Sequence, residues 1–126
     1  MRRLATLLII AAAAMLLLAP AGSPATTENK ICAPLTGHAW HADGKTGKKY
    51  SWEVIGRAFT CGSAKHWVLK FVGTRLHGSA VQVPLRGGPA GYHCFGTRDD
   101  KNYAYGGLCF QGTRAFPKNG FSWSSA

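Results

Sequence analysis

Tyr50-Ser51-Trp52-Glu53-Val54-Ile55-Gly56, and a few residues later Thr60-Cys61-Gly62-Ser63-Ala64-Lys65-His66-Trp67-Val68-Leu69-Lys70-Phe71-Val72-Gly73, are the stretches that decide the fold. The first alternates large apolar with polar side chains, the period of a half-buried strand, and Gly56 breaks it. In the second, Ala64, Trp67, Val68, Phe71 and Val72 recur at helical spacing, while Lys65, His66 and Lys70 fall on the other side. That pattern predicts one amphipathic helix over about residues 61–73, with Thr60 or Ser63 able to cap its start, Gly73 able to end it, and Trp67 in the core.

Outward from this pair, Val81-Gln82-Val83, Gly91 to Gly96, Leu108 to Gln111 and Phe121-Ser122-Trp123 are short strand candidates separated by Gly and Pro clusters. Pro84 confines the first of them to an edge or an end. Strands on both sides of a single helix predict an α+β domain, a small antiparallel sheet of about four to five short strands with the helix packed on one face. Thr36 to Lys49, rich in Gly, His and Lys, reads as a loop around Asp43-Gly44.

At the N-terminus, Arg2 and Arg3 precede an uncharged apolar run, Leu4 to Leu18, and then the small residues Ala19-Pro20-Ala21. This is the order of a cleavable secretory signal peptide. At a helical rise of about 1.5 Å per residue the run reaches roughly 22 Å, short of a membrane core of roughly 30 Å. The expected organisation is a signal peptide at 1–21 cleaved after Ala21, with Ala25 as a second candidate site, a flexible segment at 22–30, and a single secreted domain at 31–126. The mature form then has no membrane anchor and is expected to be a monomer. Removing Arg2 and Arg3 leaves thirteen basic against five acidic residues, a formal charge of +8.

Four cysteines, Cys32, Cys61, Cys94 and Cys109, fall in the mature part. An even count in a small exported domain reads as two disulfides, since a core of this size benefits from cross-links. Zinc is the rival reading, but these cysteines are isolated rather than paired as Cys-x-x-Cys, so neither a metal nor a cofactor is expected. Of the three connectivities, neighbour pairing, Cys32 with Cys61 and Cys94 with Cys109, is preferred, because the last two sit in strand-like segments flanking one loop.

The strand of form Tyr-x-x-x-Val, the helix opening Thr60-Cys61-x-x-Ala64, the run Gly91-Tyr92-His93-Cys94 and the late Cys109-x-x-Gly112 before a terminal aromatic strand resemble a group of uncharacterised small exported proteins of high-GC Gram-positive bacteria. The resemblance covers Tyr50 to Trp123. It implies an exported α+β disulfide domain and no activity. His38-Ala39-Trp40-His41 and the loop Thr97 to Tyr105 have no counterpart in it.

Function is less legible. His38, His41, His66, His77 and His93 read by default as solvated or packed histidines. A hydrolase of the small secreted ribonuclease kind would need Glu53 with a histidine and a cation such as Arg75 or Arg98, and nothing in the spacing selects that set. No Gly-x-Ser-x-Gly is present. Lys45, Lys48 and Lys49 form a basic loop suited to nonspecific attraction to polyanions. Tyr103 and Tyr105, with Arg98 and Lys101, sit between Cys94 and Cys109 and form the candidate binding loop. The expectation is a noncatalytic secreted domain that binds an extracellular or cell-envelope partner, either an anionic wall polymer or another secreted protein. A cationic hydrolase and a protease inhibitor are the alternatives.

Overall fold

A computed structural model describes residues 28–126 of the chain. The signal segment, both cleavage sites and most of the 22–30 segment lie outside the described residues. Seven strands, β1 (Asn29–Ile31), β2 (Leu35–Ala42), β3 (Lys45–Ile55), β4 (Gln82–Leu85), β5 (His93–Arg98), β6 (Ala104–Gly112) and β7 (Pro117–Ser125), form one sheet with the helix α1 (Cys61–Phe71) between β3 and β4. The order is β1-β3-β7-β6-β5-β4, with β2 also paired to β3, and every pairing is antiparallel.

This corrects the expectation of an α+β domain with four to five short strands: the chain is mostly antiparallel sheet, with seven strands and one short helix. The missed strands have a physical reason. β2 hides its alternation because its register shifts between Thr36 and Trp40, which leaves Leu35 and Trp40 as its buried side chains. Asp43 and Gly44 are a two-residue hairpin turn with φ of 52° and 71°, the backbone of a type I′ turn, so the turn signal marked a β2–β3 hairpin. β1 has too few residues to show any period, and its Asn29 and Lys30 pair with Ile55 and Val54.

The helix is held at its start by a reciprocal box: the Thr60 hydroxyl accepts from the Ser63 amide, and the Ser63 hydroxyl accepts from the Thr60 amide. Gly73, at φ of 76°, turns the chain away just beyond its end. Ala64, Val68 and Phe71 form its buried stripe. They meet Tyr50, Trp52 and Val54 of β3 and Phe121 and Trp123 of β7 in one apolar cluster, where the Phe71 and Trp123 rings stack at 5.8 Å. Trp67 stands at the edge of that cluster, half-buried rather than in its centre, with the Lys70 ammonium 5.4 Å from its ring.

Two disulfides join Cys32 to Cys61 and Cys94 to Cys109, with no free cysteine among the described residues. The first ties the β1–β2 connection to the opening turn of α1. The second links facing residues of β5 and β6. Among the described residues no helix is long and apolar enough to cross a membrane.

Candidate functional site

The site begins with Asp99, the buried charged residue of the domain, at 4% exposure. A carboxylate out of water needs donors, and here three backbone amides supply them. Oδ2 accepts from the His41 amide, and Oδ1 accepts from the Lys101 and Tyr103 amides, all at 2.9 Å. The Asp100 amide returns a bond to the His41 carbonyl at 2.8 Å. Asp99 thus closes its own turn, an aspartate bonding the amides two and four positions on, and clamps that turn against β2. The segments 38–41 and 97–105 are thereby packed on each other.

A second clamp comes from the chain after α1. The Leu76 amide donates to the Asn102 carbonyl, Ala104 donates to the Thr74 carbonyl and Gly73 donates to the Ala104 carbonyl, so Arg75 and Tyr103 face each other in an isolated bridge. Gly73 also lets β2 come close, since a Cβ there would fall 2.2 Å from the Cβ of His38. The outcome is a layered patch. The half-buried Tyr103 ring lies 4.4 Å from the His38 ring and 6.0 Å from the Arg75 guanidinium carbon. The His38 and Arg75 side chains are exposed. His38 Nδ1 lies 2.8 Å from the Ala39 carbonyl oxygen, an acceptor, so this nitrogen is the one that donates there. Lys101 is exposed on the adjoining turn beside Asp100.

Below the patch, the Tyr50 hydroxyl donates to the His38 carbonyl at 2.5 Å. Burial, and then the negative charge of Asp99, push its pKa from the ordinary 10 up to about 12. Between those values the unfolded chain gives up this proton and the folded chain keeps it. The contribution of Tyr50 to stability is therefore complete below pH 10 and is lost as pH rises towards 12. Tyr50→Phe is expected to flatten this alkaline loss, which denaturant midpoints of both proteins across that window will show. Equal slopes would contradict it.

The other residues singled out in the sequence are dispersed. Arg98 is occupied: its guanidinium donates to the Leu76, His77 and Ala80 carbonyls and to the Asn102 side chain, so it fastens the 76–80 segment instead of facing solvent. Tyr105 lies in β6 and lines a different cavity, with Phe95 and Leu108. Lys45, Lys48 and Lys49 are exposed on β3, where strand alternation sets Lys48 on the face opposite Lys45 and Lys49. Glu53 receives the Ser122 hydroxyl at 3.4 Å and lines a hollow that contains neither a histidine nor an arginine. Among the described residues no three His, Cys, Asp or Glu side chains gather as a metal would require.

The chain matches no protein-family model, no curated protein and no solved structure. What the patch can do therefore follows from its own chemistry. A ring fixed beside an arginine and a histidine, with a lysine nearby, offers a flat apolar surface and several donors, a combination that suits an anionic group on a larger molecule. Asp99 was not legible as part of a site, and Arg75 stood out only as one possible cation of a hydrolase set with Glu53. The aspartate's spacing to Lys101 and Tyr103 was the available signal, whereas the approach of Arg75 depends on pairing across the fold.

Proposed function

We propose that this chain is an exported, noncatalytic domain that binds an anionic polymer of the cell envelope through the patch formed by His38, Tyr103 and Arg75. The observation that carries the reading is the double clamp, Asp99 from within and residues 73–76 from outside, which fixes an aromatic ring beside an arginine and a histidine at the surface. Pre-organisation of this kind lowers the entropy lost on binding. The net positive charge adds long-range attraction. Disulfides and the lack of a membrane-crossing helix among the described residues fit a secreted protein.

The hydrolase alternative loses support from the separate placement of Glu53. The inhibitor alternative loses support too, since the tip between Cys94 and Cys109 is tucked against β2 by a buried carboxylate and does not project as a free loop. The test is binding to a defined glycerol-phosphate polymer at low and high salt. The Arg75→Ala, Tyr103→Ala double variant is expected to lose roughly tenfold in affinity, including at high salt, where screened attraction has faded. An unchanged high-salt affinity would refute the patch.

A further inference from the structure

The face of the sheet turned away from α1 is a second surface. Phe95 and Thr97 of β5 and Leu108 of β6 alternate with the core-facing Cys94, Gly96 and Cys109. With Gln82, Arg114 and Tyr105, they line a cavity of about 400 Å³ that reaches Ser124 of β7. A shallower hollow of about 270 Å³ starts at the same Ser124 and runs past Ser122 and Ser51 to Glu53 on β3. Together they make a trench across four neighbouring strands, roughly 14 Å from β3 to β5 at about 4.8 Å per strand.

Its chemistry is mixed in a particular way. Hydroxyls and an amide stand along it, and Tyr105 and Leu108 supply apolar surface. Among the described residues lining the larger cavity, only Arg114 is charged. Its guanidinium is already oriented, with its carbon 5.1 Å over the Phe95 ring and one nitrogen donating to the Gln82 side-chain oxygen. Both partners are neutral, so the charge stays available to a carboxylate, and the stacked fork sets up a two-point contact. An apolar ring face beside rows of hydroxyl partners matches a sugar, and the lone guanidinium matches an acid group on it.

We propose that this trench is a saccharide site that takes a short uronic-acid-bearing oligosaccharide, with Arg114 on the carboxylate, Tyr105 against a sugar ring and the serine row on its hydroxyls. It is independent of the His38–Tyr103–Arg75 patch. The test is an amide NMR titration at high salt of the Arg75→Ala, Tyr103→Ala chain, in which the patch is weakened. The probe is a hexasaccharide of alternating uronic acid and N-acetylhexosamine, and a neutral N-acetylglucosamine hexasaccharide is the control. Shifts are expected at Phe95, Thr97, Tyr105 and Ser124, with the neutral probe weaker by roughly tenfold or more. Arg114→Gln should weaken the acidic probe about as much, and Arg114→Lys nearly as much, because a lysine keeps the charge and loses the fork. Tyr105→Ala should weaken both probes. Arg114 is exposed, so the variant spectra will match the parent away from its loop. Shifts confined to other surfaces, equal affinity for the neutral probe, or an Arg114→Gln variant that binds as the parent does would overturn the proposal.

Discussion

Asp99→Ala is expected to lower stability by about 3 to 5 kcal/mol, because it leaves three backbone amides of a part-buried turn without their acceptor, each a loss of about 1 to 3 kcal/mol before water enters. The amides are those of His41, Lys101 and Tyr103. Asp99→Asn keeps one oxygen of nearly the same shape and should lose less, about half. Denaturant melts of the three proteins give the ordering. Polymer binding should fall in step, since the turn that holds Tyr103 against His38 is no longer fixed to β2. A loss below about 1 kcal/mol for Asp99→Ala would mean that the turn is set by something other than the carboxylate.

The second large effect is steric. Gly107 faces Trp123 across the β6–β7 pair, and a Cβ at this position would fall 2.2 Å from the indole ring and 2.5 Å from the Phe95 carbonyl oxygen. Neither neighbour can retreat easily, because Trp123 is stacked on Phe71 and the carbonyl belongs to β5. Gly107→Ala is therefore expected to cost about 3 kcal/mol, at the upper end of what overpacking a core takes, and to broaden the ring signals of Phe71 and Trp123. A melt within about 0.5 kcal/mol of the parent would show that β6 can shift away from β7.

The sequence was most legible where one physical signal acts alone. The apolar stripe of α1 and its Thr60–Ser63 cap depend on residues a few positions apart, and neighbour pairing of the cysteines needed only two flanking strands. It was least legible where the backbone departs from a regular period. The register shift inside β2 turned a strand into an apparent loop, and another between Thr97 and Arg98 concealed how β6 begins. The tyrosines show the consequence for the site. Tyr103 and Tyr105 are neighbours in the chain, and the fold sends one to the patch with His38 and the other to the trench with Phe95. Arg98, plausible as a free cation, is consumed by backbone carbonyls that only the folded 76–80 segment presents.

In the proposed function the fixed ring beside Arg75 and His38, rather than net charge alone, recognises an anionic polymer. Amide shift mapping of the native chain with the glycerol-phosphate polymer at high salt tests it most directly. The account predicts perturbations centred on His38, Arg75, Lys101 and Tyr103, with Lys45, Lys48 and Lys49 little changed. Shifts centred on those three lysines, or spread evenly over every basic residue, would contradict it.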